Sequence, residues 1–123
     1  GQVPGMEERF TADEALRDTV LKAFELTDFS KEHKIQKGLI ASGDQFISAG
    51  EHKDYIKKTF NPLCVEMEGA SIAHACTINK VPFVIVRCMS DMADESVKST
   101  YSFNEETCAN MCASLVKKII ETL

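Results

Sequence analysis

The sequence predicts an α/β fold, a three-layer sandwich in which a central, mostly parallel sheet is flanked by helices. Two observations lead there. Short apolar runs of strand character, Ile35 to Ser42, Leu63 to Met67 and Pro82 to Cys88, alternate with segments of helical apolar spacing. The last run is nearly continuously apolar, as expected of a strand covered on both faces. The order helix, then βαβαβα, with right-handed crossovers, brings the C-terminal ends of all three strands to one edge. In such sheets that edge is where ligands bind.

The helices are marked by three sequences of capping-box form, Thr11–Glu14, Ser48–Glu51 and Ser102–Glu105. The first opens a stripe of Ala12, Ala15, Leu16, Thr19, Val20 and Ala23. The second precedes a short amphipathic segment carrying Tyr55, Ile56 and Phe60. Gly69 to Cys76 reads as a helix whose small residues pack close to the sheet. The third box leads the clearest helix, with Cys108, Met111, Cys112, Leu115, Val116, Ile119 and Leu123 on one face. Three parallel strands leave two open edges, and open edges are normally covered or paired. The sheet therefore reads as part of a larger one, and the Gly/Pro-containing opening as a loop from something longer.

Composition narrows the function classes. The chain has 123 residues, 44% hydrophobic and 27% charged, with a formal net charge of −5, the profile of a soluble globular domain. Its 14 basic residues are scattered, which argues against nucleic-acid binding. No apolar run approaches the roughly 20 residues that span a bilayer, and Gly1-Gln2-Val3-Pro4-Gly5 lacks the character of a secretory leader. The five cysteines, Cys64, Cys76, Cys88, Cys108 and Cys112, form no Cys-x-x-Cys pair. An odd number on apolar faces reads as reduced thiols in a cytoplasmic protein. Cys108 and Cys112 lie one helical turn apart, but without a second ligand pair neither metal nor cofactor is expected.

The chemistry-bearing residues gather at the predicted strand ends. Val65-Glu66-Met67-Glu68-Gly69 and Val86-Arg87-Cys88-Met89-Ser90-Asp91 send three acids and an arginine to one edge. That set suits a neutral polyol and a leaving group that needs a proton. Arg87, late in an apolar strand, requires an anionic partner, and Glu66 and Glu68 are the nearest candidates. Glu68 is placed to start the following helix, where a carboxylate compensates the macrodipole; paired hydroxyls are the alternative ligand for these acids. Asp91 beside other acids and an apolar wall has the setting of a proton donor, while Ser-Asp after a strand is also an ordinary helix cap. After the first strand, Ser42-Gly43-Asp44 allows a tight turn. Phe46 and Ile47 then either line a pocket, with the ring stacking on a planar base, or anchor the loop.

With these residues in view, four segments resemble methylthioadenosine/S-adenosylhomocysteine nucleosidases of the nucleoside phosphorylase superfamily. They are Gly1-Gln2-Val3-Pro4-Gly5, Gly38 to Ile47, Val65 to Gly69, and Val81 to Asp91. The resemblance runs in order along residues 1–123 and corresponds to the C-terminal half of the family's single domain. It implies irreversible hydrolysis of an adenine–ribose bond, releasing adenine and a 5-thioribose, a step of methionine salvage. On the family pattern Phe46 stacks on adenine and the backbone of Ile47 reads its edge. Met67 and Glu68 hold the ribose, and Glu66 and Arg87 border the water and the ribose. Asp91, steadied by Ser90, protonates N7. Phe103 closes over the alkylthio group, and Pro4 reaches a neighbouring subunit's site in a homodimer. The family's water-activating glutamate belongs to the N-terminal half, so the expected partner is that half of the same protein. Alone, the chain should hydrolyse nothing appreciable. A nucleoside phosphorylase and a non-catalytic adenine-nucleoside-binding fragment are the competing readings.

Overall fold

Asp13 starts the first helix. Its backbone is extended, and its carboxylate accepts the N–H of Leu16 at 2.9 Å, so that α1 runs Glu14–Glu25. The start is thus Asp13, and the box predicted from Thr11 is not used. An aspartate here satisfies an orphan amide, and its own N–H is already held by the carbonyl of Phe83 at 2.8 Å. The chain leaves α1 through a single 3₁₀ turn, Asp28–Lys31, which brings Phe29 edge-on to Phe24 with ring centroids 5.9 Å apart. The computed structural model describes residues 2–48, 50–89 and 101–123, with only the backbone at 101–104.

β1 (Ile40–Ser42) and β2 (Cys64–Glu66) pair in parallel, with Ile40 opposite Cys64, Ala41 opposite Val65 and Ser42 opposite Glu66. The pairing is extended at both ends by Leu63 N–H to Leu39 O at 2.8 Å and Gly43 N–H to Glu66 O at 3.1 Å. The crossover between them contains α2 (Glu51–Phe60), which begins at Gly50 and ends at Asn61. Gly50 has φ 88° and Asn61 has φ 47°, conformations that glycine and asparagine adopt at least cost. No side chain caps α2, so Ser48 does not form the predicted box. α3 (Gly69–Ile78) follows β2 directly, with Gly69 and Ala73 buried. α4 (Tyr101–Thr122) is already helical at Ser102, so the third predicted box does not start there either.

Helix α4 lies against α1. Val20, Ala23 and Phe24 of α1 and Leu115 of α4 make the buried cluster, with Phe29, Ile35, Val84, Val86 and Ile119 packed around it. The α/β class, with a parallel sheet flanked by helices, is therefore present. The third predicted strand is corrected: among the described residues the sheet has two strands. Pro82 has no N–H to give to a ladder, and the Phe83 carbonyl is taken by the start of α1. The run's apolar character is used instead in packing, through Val84 and Val86. Among the described residues no helix is long and apolar enough to cross a membrane.

Candidate active site

Glu66 is the hinge of the site. It is the last residue of β2, and its side chain is only 8% exposed. One carboxylate oxygen, Oε1, accepts the Ser42 hydroxyl and the N–H of Gly69 at 2.9 Å. The other, Oε2, accepts the N–H of Glu68 at 3.1 Å and of Gly69 at 2.7 Å, and also binds the Arg87 guanidinium. A strand-end carboxylate thus turns back onto the amides that open α3, where partial positive charge accumulates. Burial pushes the Glu66 carboxyl up. The bonds from Ser42, the two backbone amides and Arg87 outweigh it, and the group is held below the usual carboxylate range.

Arg87 bridges the two glutamates, with its Nη2 donating to Glu66 and to Glu68 Oε2, the latter at 2.6 Å. Burial disfavours its charge, but the paired carboxylates more than restore it. The charge expected to be costly in an apolar run is compensated twice. Glu68 is the N-cap residue of α3, yet its side chain caps nothing. It is Glu66, two residues earlier, that compensates the helix end. Glu68 binds Arg87 with a side chain 63% exposed, which leaves a fixed carboxylate open to an incoming hydroxyl pair.

Two depressions adjoin this triad. One, of about 540 Å³, is lined by Glu68, Ile72, Val84, Ile85, Val86 and Arg87. The other, of about 430 Å³, is bounded by Ser42, Ile47, Tyr55, Val65 and Glu66, among others. Ile47 is therefore on a concave wall, while Met67 is 44% and Phe46 64% exposed. Pro4 is exposed at the corner of a turn closed by Met6 N–H to Val3 O at 3.1 Å, with Gly5 at φ 78°, a Pro-Gly arrangement of type II character. Ser90 and Asp91, and the side chain of Phe103, lie outside the described residues. Ser42 stands in the sequence as part of a turn, Ser42-Gly43-Asp44, with no sign of what its hydroxyl holds. The role of that hydroxyl comes from the register, which sets Ser42 opposite Glu66.

A family model described as the phosphorylase superfamily matches residues 1–121. The chain belongs to the phosphorylase superfamily. Among curated relatives, the 5′-methylthioadenosine/S-adenosylhomocysteine nucleosidase of Geobacillus sp. (strain WCH70) is 39% identical over 124 residues, covering 100% of this chain and 52% of that protein. The Neisseria meningitidis nucleosidase of that name, solved with methylthio-immucillin-A, superposes with a TM-score of 0.88 at 35% identity, covering 100% of this chain and 52% of the other. The futalosine hydrolase of Helicobacter pylori gives a TM-score of 0.88 at 30% identity, covering 100% and 51%. This superfamily chain spans about half the length of the relatives it matches.

Two further features of this phosphorylase-superfamily chain bear on the site. The first is Gly69, where a Cβ would stand 2.8 Å from Glu66 Oε1 and 3.1 Å from its carboxyl carbon. The carboxylate is pinned by its several donors and cannot step aside, so Gly69→Ala should destabilise by about 1–3 kcal/mol through overpacking. Urea unfolding measures this, and a loss below the error of the method would mean that the carboxylate is not fixed. The second is the thiol group near the end of the Val84–Val86 run. Burial, then Cys108 and Cys112, push the Cys88 thiol up to about 12, and Cys108 Sγ lies 3.3 Å from the Met89 carbonyl oxygen that accepts its hydrogen bond. The three cysteines are half-buried and take packing roles. Among the described residues, no group of three His, Cys, Asp or Glu side chains is placed to hold a metal ion.

Proposed function

We propose that this chain supplies the purine and ribose site, and the general acid, for hydrolysis of the N-glycosidic bond of 5′-methylthioadenosine and S-adenosylhomocysteine. The observation that carries this reading is the Arg87-held carboxylate of Glu68, fixed in place yet 63% exposed at the rim of a depression. The likeness to nucleosidases, one of them solved with a nucleoside analogue, supports it.

In this account Glu68 accepts the 2′- and 3′-hydroxyls. Met67 lies against the ribose, and Phe46 stacks on adenine while the Ile47 backbone reads its edge. As the C1′–N9 bond lengthens, positive charge develops on the ribose, and hydroxyl contacts to an anionic carboxylate strengthen. Asp91, oriented by Ser90, gives its proton to N7, so adenine leaves neutral. Water adds to C1′, and its proton passes to a base supplied by the N-terminal half. Arg87 and Glu66 border that water, Phe103 closes over the 5′-substituent, and Pro4 meets a neighbouring subunit. Residues 1–123 are accordingly the C-terminal half of one domain in a cytoplasmic homodimeric hydrolase.

The test is adenine release by the full-length protein from 5′-methylthioadenosine, with and without phosphate, beside release of the free base from futalosine as a second substrate. Release that needs no phosphate supports the proposal. A strict requirement for phosphate would make the protein a phosphorylase. Turnover of futalosine alone would shift the substrate towards that of the Helicobacter pylori neighbour. Binding of adenine nucleosides without any turnover would leave a non-catalytic module.

A further inference from the structure

Ser42 occupies a junction that the proposed chemistry does not use. It is the last residue of β1, opposite Glu66, and the loop carrying Phe46 and Ile47 follows it. Its Oγ–H donates to Glu66 Oε1, and the same oxygen accepts the N–H of Ala70 at 2.8 Å. A serine hydroxyl has one proton, so the two contacts fix its direction: the proton faces Glu66 and a lone pair faces α3. Glu66 in turn holds Arg87, and Arg87 holds Glu68 at 2.6 Å. A chain of charge-assisted bonds therefore runs from the end of β1 to the exposed carboxylate.

We propose that Ser42 is a positioning residue for the ribose: through Glu66 and Arg87 its hydroxyl sets where the Glu68 carboxylate stands, and it ties that carboxylate to the base-binding loop. The inference rests on the proposed nucleoside site and adds a residue to it. In this proposal Ser42 acts through Glu66 and not by contact with the substrate. Removing its hydroxyl withdraws one donor from Glu66 and one acceptor from Ala70. The groups facing the Glu66 carboxylate are then Arg87 and the Glu68 and Gly69 amides, with the Glu68 carboxylate beyond Arg87 and the Cys64 thiol nearby on β2. Nucleoside recognition should suffer, because the ribose carboxylate loses its register, whereas recognition of the free base should not.

The experiment uses the full-length protein carrying Asp91→Asn, so that substrate is held uncleaved, with Ser42→Ala or Ser42→Thr added. Calorimetry with 5′-methylthioadenosine and with adenine is read beside a carbon-13 titration of the Glu66 carboxyl. Ser42→Ala should weaken nucleoside binding roughly tenfold, the size of one lost hydrogen bond to a charged group, and leave adenine binding unchanged. The Glu66 titration should move upward, and Ser42→Thr, which keeps the hydroxyl, should restore both. Equal weakening of nucleoside and adenine, or an unmoved Glu66 titration, overturns the inference and leaves Ser42 a merely structural residue. If the parent protein binds no nucleoside, the proposed function fails. The Glu66 titration and its recovery in Ser42→Thr then decide the Ser42 link alone.

Discussion

Asp91→Asn in the full-length protein is expected to lower the rate of adenine release roughly 10²- to 10⁴-fold, the range that one general acid contributes. Binding of 5′-methylthioadenosine should change only a few-fold. Asparagine matches aspartic acid in shape and can still offer a hydrogen bond to N7. It has no proton to transfer, so adenine must depart as an anion or wait for water to protonate it. Loss in kcat with KM nearly constant marks an interaction made in the transition state. Single-turnover adenine release and calorimetric binding give the two quantities separately. A variant with near-parental turnover would remove Asp91 from the mechanism.

The second large effect is on stability. Glu66→Ala should destabilise the chain by about 2–4 kcal/mol, because a charged acceptor with several donors is lost at once. Arg87 keeps Glu68, which moderates the loss. The Ser42 hydroxyl and the amides of Glu68 and Gly69 keep no such partner. Glu66→Gln retains shape and one acceptor oxygen and should cost less. The pH dependence has a definite sign. The folded-state carboxyl lies below its ordinary value of 4.5, so Glu66 contributes stability above that value. This contribution is lost as pH falls through the lower folded-state value. Urea unfolding as a function of pH should show an acid limb that flattens in Glu66→Gln. An unchanged limb would mean that another carboxylate carries it.

The helices and the partners of Arg87 were legible because local rules fix them. An apolar run cannot leave a guanidinium unpaired, and Glu66 and Glu68 were the acids within reach of the same edge. The stripe on α4 was legible from its spacing, and Leu115 is its buried member. Helix starts were less legible. Asp13 displaced the Thr11 box because its N–H donates a tertiary bond to the Phe83 carbonyl, which set its backbone, and Gly50 began α2 through a positive φ rather than a side-chain cap. The run Pro82–Cys88 packs its Val84 and Val86 on the core but is neither paired in the sheet nor covered on both faces, since apolar continuity reports packing while a ladder needs a neighbour. The split between the glutamates was hidden for a similar reason. Spacing places both at the strand end, but only the fold shows that Glu66 turns inward to the α3 amides while Glu68 remains open. Ser42 escaped notice because its role depends on the register of β1 against β2.

The most direct test is a crystal structure of the full-length protein with a nucleoside analogue that resists cleavage, such as methylthio-immucillin-A. Glu68 Oε atoms are expected within hydrogen-bond distance of both ribose hydroxyls, the Phe46 ring against the base, and the Asp91 carboxyl at N7. An analogue bound away from Glu68, or an Asp91 too remote to reach the same ligand, would contradict the proposed function.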